Sequence, residues 1–567
     1  LWLYRVRKYG KPPRLPKFNC SHIFESMNPL VLSIVVAVAT LFFLASYHAL
    51  LFPSMLWDTL TEYAFLGKRI YLNSGIPFFA GSSGSVEWSG NYPMLVPMLY
   101  AWFNFAMGEV NDLLSRSIYP VFGFATLVAT FALAKKLFNS TTALFSVYIL
   151  AVTPIFLAHS TLGYIDIVLT YYFVVGLYFL YTALGNKDPK RAFLAGFLGG
   201  LAAWTKYQGL LLIFIIFAYW FMSRTRDKTV DGVFLRVLAV FVVSASPWYL
   251  RNWYLLGNPV YPNLFQVFGG RNLDGWLLSY NHEYWISRWS VLLGTDHSLN
   301  SLLYLPITLL IKDNSVSSLG QDGLGLLLTC LGIPGLLLSL RKRSTAESLL
   351  FTWVLVLFSF WFIFLHYFIR YLLPLIPALA ILAGRFLNVI VNDIKRFKTP
   401  LRKLLLSFML IPLITAFFIP TGTLALIGPV YTFKDYVFSR PFNPPSTEEA
   451  LSHALPADYA LWRFINKETS SNAMFLTFDH RWYYVDRPLA FADGTFVKPL
   501  YFVSNVSQAV SFLLSVNITY IVVAPWYKEI PLWYKSPLFR SLDNTTYFRK
   551  VFDEWGFSIY RVKGAQP

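Results

Sequence analysis

Apolar runs of roughly 15–25 residues recur along the chain at about 29–52, 113–137, 141–158, 165–184, 191–205, 208–222, 232–250, 323–340, 347–367, 371–391 and 402–427. Runs of that length predict membrane-spanning helices, about eleven in all. The runs at 191–205 and 208–222 are short and separated only by "TKYQG", so they read either as two spans or as one broken or tilted helix. Two further apolar pieces, "LVPMLYAWFNFAMG" and the 14 residues 299–312, are short for a span and predict interfacial or re-entrant segments.

Basic clusters alternate with these runs. Arg5, Arg7 and Lys8 precede the first, and "AKKLFN", "NKDPKR", "SRTRDK", "RKRS" and "NDIKRFKTPLRK" fill every second gap. The positive-inside rule makes these gaps cytoplasmic, so the N-terminus lies inside and, with an odd span count, the C-terminus outside. The first run lacks a small-residue cleavage site and reads as a retained span after a cytoplasmic segment 1–28. The long outer loops are then about 53–112 and 251–322.

After about Tyr431 the pattern changes. "NAMFLTFD", "ITYIVVAP" and "FSIYRV" are short β-branched or aromatic runs bounded by turn residues, whereas "TEEALSHALPADYALWRFINKE" has helical spacing. Residues 431–567 therefore predict a soluble extracytoplasmic α/β or α+β domain behind a transmembrane domain at 29–430. Asn505, Asn517 and Asn544 each open an Asn-x-Ser/Thr sequon there, as an outer domain allows, although Asn139 opens another on the cytoplasmic side.

Composition agrees with a polytopic α-helical membrane protein: 56% of the 567 residues are hydrophobic, 13% charged, and the mean hydropathy is +0.51. The net charge of +18 sits largely in the short turns that orient helices, so it does not call for nucleic acid. Aromatics make up 19%, enough for interfacial belts and for sugar-stacking surfaces. Cys20 and Cys330 are too few for a disulfide framework or a cysteine metal site.

Ionisable groups at the outer span edges carry the candidate chemistry, because a charge beside hydrocarbon costs a few kcal/mol unless paired or hydrated. Asp58 follows the first span, Asp166 opens the fourth in "GYIDIVLT", and Lys206 lies in "TKYQG". Arg251 follows the seventh in "SPWYLRNWY", and Arg370 with Tyr371 stands between the ninth and tenth in "HYFIRYLLPLIP". Two acids and three bases converging on one face suit a substrate with an anionic head at the interface: Lys and Arg hold phosphate, and a carboxylate activates a nucleophile. Each also has a plainer reading, as a snorkelling cation or a helix cap. Glu62 lies one turn beyond Asp58, and Tyr92, His159, His282 and Glu283 share the same loops as accessory candidates, but no ligand spacing assigns a metal.

In order, "WDTLTEYAFLGKRIY", "NYPMLVPMLYAWF", "SRSIYPVFG", "YID", "TKYQG", "PWYLRNWYLLGNPVYP" and "RYLLPLIPALAILAGR" resemble the GT-C superfamily of membrane glycosyltransferases, over about 30–427. The branches most similar hold protein O-mannosyltransferases and the lipid A aminoarabinose transferase. The resemblance implies the GT-C fold and transfer of a monosaccharide, mannose most often, from a dolichyl- or undecaprenyl-phosphate donor to a hydroxyl on a protein, glycan or lipid at the outer face. It implies Asp58 as general base, Asp166 as an acceptor- or cation-orienting acid, and Lys206, Arg251, Arg370 and Tyr371 as donor-phosphate contacts. No cofactor is required, because Lys and Arg can neutralise a phosphate monoester leaving group, and no motif supports a divalent cation. Two departures stand out: Thr59 replaces a second acid after Asp58, and Asn91-Tyr92-Pro93 replaces a Lys-Pro-Pro. The absence of a Trp-Trp-Asp motif in the C-terminal segment argues against the oligosaccharyltransferase branch. The rival readings are a transporter or flippase of lipid-linked sugars, which predicts deep intramembrane charges and paired half-helices, and a membrane-anchored glycan-binding assembly protein, which leaves Asp58 without a role.

Overall fold

The computed structural model describes residues 29–76, 92–261, 263–270, 300, 302, 323–342, 344–364, 368–426 and 445–564. The segment 1–28, His282, Glu283 and nearly all of 299–312 lie outside the described residues.

Every one of the eleven apolar runs is helical, beginning with Pro29–Leu51 and ending with Thr399–Leu426. Among the described residues, eight helices are long and apolar enough to cross a membrane. The others are shorter for local reasons. Pro154 interrupts the 141–158 run, giving Ser140–Ala151 and Pro154–His159, and Pro189–Thr205 is diluted by glycine and lysine. Its glycines are there for contact: a Cβ on Gly196 would lie 2.4 Å from the Val237 carbonyl oxygen, and one on Gly200 would lie 2.0 Å from the Ser244 hydroxyl. Only a small residue lets this helix approach Asp231–Leu256 so closely.

The "TKYQG" ambiguity resolves into two helices. Pro189–Thr205 ends at Lys206, whose backbone is extended, and a 3₁₀ turn Tyr207–Leu211 leads into Leu212–Arg224. Lys187, just before the first helix, pairs with Asp227, just after the second, at 2.8 Å. The chain therefore runs out and returns, and the basic turns "NKDPKR" and "SRTRDK" share one end of the bundle. Arg385 gathers two more turns near one another: it pairs with Glu347 and lies 4.2 Å from the Phe138 ring centroid.

The C-terminal domain is a mixed five-stranded sheet of order β2-β1-β3-β5-β4, with β1 Met474–Thr477, β2 Leu489–Phe491, β3 Ile518–Val523, β4 Phe548–Glu554 and β5 Phe557–Val562. β2, β1 and β3 are parallel, and β5 and β4 add as an antiparallel pair. Helices Thr447–Ala454, Pro456–Glu468 and Val506–Ser515 complete an α/β unit. It is seated on the segment that follows the first helix. The ammonium of Lys68 donates to the carbonyls of Tyr483 (2.8 Å) and Val485 (3.3 Å) and to Asp486 (2.6 Å). The Tyr484 hydroxyl reaches the Ser54 carbonyl at 2.9 Å and Asp112 at 2.8 Å.

Candidate active site

Asp58 precedes a single π-helical turn, Thr59–Tyr63, that runs into the helix Ala64–Leu72. Such turns are uncommon and re-aim side chains locally. Asp58 makes no capping hydrogen bond there; its Oδ2 instead meets the Arg370 guanidinium at 2.8 Å. Asp166 is likewise not a cap. It lies in the first turn of Asp166–Asn186, buried, with its Oδ1 2.7 Å from the Lys206 ammonium.

The two ion pairs stand around one ring. Lys206 lies 3.9 Å from the Tyr371 centroid and Arg370 lies 5.2 Å from it, with Tyr164 and Phe368 flanking the guanidinium at 4.5 and 5.4 Å. Aromatic faces favour a cation where water is scarce. The Tyr371 carbonyl accepts from the Gln208 amide at 2.7 Å, tying the 3₁₀ turn Ile369–Leu375 to the turn that carries Lys206. Among the described residues the buried Arg370 Nε has no hydrogen-bond partner, so the guanidinium keeps a donor in reserve.

Glu62 shares this neighbourhood. Burial first, and then the Asp58 carboxylate, push its carboxyl up to about 8, against the pull of Arg370, Lys206 and His480. Tyr92, from the departed Lys-Pro-Pro position, packs on Tyr207 with centroids 5.4 Å apart, and burial raises its hydroxyl above the ordinary tyrosine range. The His159 ring lies tilted against Tyr164, with centroids 5.6 Å apart. Arg251 stands further along the same shelf: it donates to Asn252 at 2.7 Å and lies 4.7 Å from the Trp248 centroid, while Asn252 reaches the Tyr207 hydroxyl at 3.4 Å. Asp58, Glu62, Asp166, Lys206, Arg370, Tyr371 and Tyr92 are thus brought together, and Arg251 joins them through Asn252 and Tyr207.

Sequence reasoning missed the residues that hold this assembly. The Thr59 hydroxyl donates to the Gly163 carbonyl at 3.0 Å, and Gly163 has a φ of 91° with no room for a Cβ, which would lie 2.6 Å from that hydroxyl. Thr59 is therefore the latch between the loops that carry Asp58 and Asp166. Arg116, buried, donates to the carbonyls of Phe52, Pro53 (2.9 Å) and Thr161 (2.8 Å), stapling the same two loops. The arginine in "SRSIYP", at the edge of an apolar run, was the available signal. Among the described residues no three of His, Cys, Asp and Glu converge as metal ligands.

A family model described as dolichyl-phosphate-mannose-protein mannosyltransferase matches residues 92–250. No curated protein sequence matches the chain significantly. Among solved structures, ArnT from Cupriavidus metallidurans bound to undecaprenyl phosphate matches with a TM-score of 0.58 at 14% identity, over 94% of this chain and 99% of that one. The Archaeoglobus fulgidus oligosaccharyltransferase matches at 0.56 and 14% identity, over 92% and 79%. The archaeal AglB from the same organism, in complex with an inhibitory peptide and a dolichol-phosphate, gives 0.52 and 14%, over 94% and 75%. At this identity the likeness is one of fold, and it extends through the C-terminal domain as well as the helices.

Proposed function

From the premise that this integral membrane chain has the GT-C fold, we propose that it is an inverting glycosyltransferase that moves a monosaccharide from a polyprenyl-phosphate donor to an acceptor hydroxyl on the extracytoplasmic face. The observation that carries the reading is the pair of acid–base couples, Asp58 with Arg370 and Asp166 with Lys206, set around the Tyr371 ring. Two cations side by side fit a lipid phosphate, and two carboxylates beside them fit a hydroxyl that must lose its proton. The relatives in the fold that were solved with undecaprenyl phosphate or dolichol-phosphate support a lipid-phosphate ligand, and the family description favours mannose.

The donor's phosphate displaces Asp58 from Arg370 and Asp166 from Lys206, taking up the spare Arg370 Nε–H as it does so. That exchange frees an Asp58 oxygen to take the acceptor's proton. The acceptor oxygen then bonds to the anomeric carbon as the bond from that carbon to the phosphate oxygen breaks, inverting the centre. The electron pair leaves on the polyprenyl phosphate, where Lys206 and Arg370 balance the charge. Asp166 orients the acceptor, and the Tyr92–Tyr207 shelf with Arg251 behind it packs the sugar or the phosphate. The acceptor is a protein, glycan or lipid bearing a hydroxyl.

The test is transfer from tritiated undecaprenyl-phosphate mannose, and from other sugars on the same lipid, by the purified chain in nanodiscs. Asp58→Asn should abolish transfer while the protein remains folded. Full transfer by that variant would remove the base from Asp58, and no transfer from any donor by wild type would reject the activity.

A further inference from the structure

Between the first helix and the turn that carries Asp58, residues 52–56 form irregular backbone, yet all five are buried. Buried peptide groups outside a helix or sheet need partners from elsewhere in the protein. Here they come from two other parts of the chain. Arg116 donates to the carbonyls of Phe52 and Pro53, the latter at 2.9 Å. The Asp112 carboxylate accepts from the Ser54 N–H at 2.5 Å and from the Ser54 hydroxyl at 2.6 Å. Both residues stand at the entry to the helix Ile118–Leu137. The third partner crosses from the C-terminal domain: the Tyr484 hydroxyl lies 2.9 Å from the Ser54 carbonyl oxygen and 2.8 Å from Asp112, so its one proton serves both acceptors.

Tyr484 is rigidly mounted. Its carbonyl accepts from the Asn466 amide at 2.7 Å, the Asn466 side-chain oxygen accepts from the Asp486 N–H at 3.0 Å, and its ring centroid lies 5.3 Å from that of Trp462. Asn466 and Trp462 both belong to the helix Pro456–Glu468. The same short run, residues 483–486, receives Lys68 through the carbonyls of Tyr483 and Val485 and the Asp486 carboxylate. Ser54 precedes Asp58 and Lys68 follows it. One connection of the C-terminal domain, between β1 and β2, therefore holds the Asp58 segment at both ends. Lys206 and Arg370 are carried by other elements, the end of Pro189–Thr205 and the turn Ile369–Leu375.

We propose that Tyr484 is a positioning residue for Asp58: its hydroxyl, shared between Asp112 and the Ser54 carbonyl, fixes the segment that sets the base against the acceptor. The inference rests on the glycosyltransferase reading. It gives the C-terminal domain a part in the chemical step without contact with the substrate. Without that hydroxyl a buried carbonyl and a carboxylate oxygen lose their shared donor, and the segment before Asp58 relaxes. A small displacement of a reacting group is costly to the rate, whereas the cations that hold the donor stay where their own elements put them.

The full-length protein in nanodiscs is assayed, well below the Tm of each variant, for binding of undecaprenyl phosphate and for transfer from tritiated undecaprenyl-phosphate sugars to a serine-rich peptide or octyl mannoside. Rates are expressed per lipid-phosphate-binding site, so that unfolded protein does not count. Tyr484→Phe keeps the ring and removes the hydroxyl. It should lower kcat about tenfold or more while the Kd for undecaprenyl phosphate and the acceptor KM stay within about twofold. Asp112→Asn should lower kcat in the same way, and the double variant should lose less than the product of the two single losses, because both act on one segment. An unchanged kcat in Tyr484→Phe overturns the assignment, as does a fully multiplicative loss in the double variant. A fall in kcat matched by loss of lipid-phosphate binding also overturns it, since that marks general disruption of the site. A wild type that transfers from no sugar donor rejects the glycosyltransferase reading, whereas an active wild type with an indifferent Tyr484→Phe rejects only the role of Tyr484.

Discussion

Replacing Asp58 by asparagine should tighten the binding of undecaprenyl phosphate even as it abolishes transfer. On the proposed mechanism, Asp58 is the internal competitor for Arg370 in the ligand-free protein. At their separation of 2.8 Å the gross attraction is about 6 kcal/mol with an effective dielectric of about 20. An arriving phosphate regains most of that from Arg370, so the gross figure is an upper bound on the competition. What it does not regain is the cost of leaving a carboxylate beside a new anion in a site where Arg370 is 13% and Asp58 22% exposed. Coupling between close charge pairs at interfaces starts at about 1.5 kcal/mol, and a net gain of about 1.5–3 kcal/mol corresponds to a roughly 10- to 100-fold lower Kd. Asparagine keeps the shape and removes the charge. The assay is equilibrium binding of radiolabelled undecaprenyl phosphate to nanodisc-embedded wild type and variant at fixed ionic strength, with Arg370→Met as the control that should bind at least about tenfold more weakly. An unchanged or higher Kd for Asp58→Asn would refute the exchange of partners, since Asp58 would then orient Arg370 rather than compete for it.

Glu62→Gln should stabilise the protein increasingly as pH rises. The unfolded carboxyl ionises near its ordinary 4.5, whereas burial and Asp58 keep the folded one protonated up to about 8, so the folded state loses ground across that window and the cost is complete above it. The gain in Tm over wild type should thus be small at about pH 5 and largest at about pH 9; a pH-independent difference contradicts it. Gly163→Ala forces a Cβ into the Thr59 hydroxyl at a φ of 91° and should cost about 1–3 kcal/mol in unfolding stability, and with it transfer; a neutral effect on both denies the latch between the two loops. Removal of divalent metal with EDTA should leave transfer within about twofold, because in the proposed reaction Lys206 and Arg370 balance the leaving phosphate; a loss of more than about tenfold restored by Mg²⁺ or Mn²⁺ would assign that task to a metal.

The membrane core was legible because hydropathy is a property of contiguous residues. Among the described residues all eleven apolar runs are helical; Pro154 splits one of them in two, and the close-packed glycines mark the short Pro189–Thr205. In the C-terminal domain β1, β3 and β5 announced themselves as apolar runs. β2 has only three residues, and β4 is an edge strand, "FRKVFDE", whose charged residues suppress the apolar signal and guard the edge. The site divides in the same way. Asp58, Asp166, Lys206 and Arg370 stood out because a charge at a span end demands an explanation from its own neighbourhood. Lys68 reaches the Tyr483 carbonyl across 415 residues, and Thr59 reaches Gly163 across 104. Such partners leave no local pattern. Thr59 entered only as a missing acid, and the structure gives it work of its own.

The pairing that makes the site readable also follows from how it must be built. A donor with a lipid tail has to be met where water is scarce, and an uncompensated lysine or arginine in such a place costs several kcal/mol. Asp58 and Asp166 offset that cost in the ligand-free state, when no phosphate is present to do so. In the proposed reaction the same two carboxylates serve the acceptor hydroxyl once the phosphate has taken their partners. One set of charges can serve folding and reaction in turn only if the exchange moves side chains and not loops. The ties around the site suit that proposed exchange. Arg116 binds three carbonyls from two loops, Thr59 latches to Gly163, and Lys68 with Tyr484 clamps the C-terminal domain onto residues 54–68. With the backbone held, the proposed exchange asks Arg370 only to turn its guanidinium from Asp58 to the donor, which uncovers the acid as the electrophile arrives.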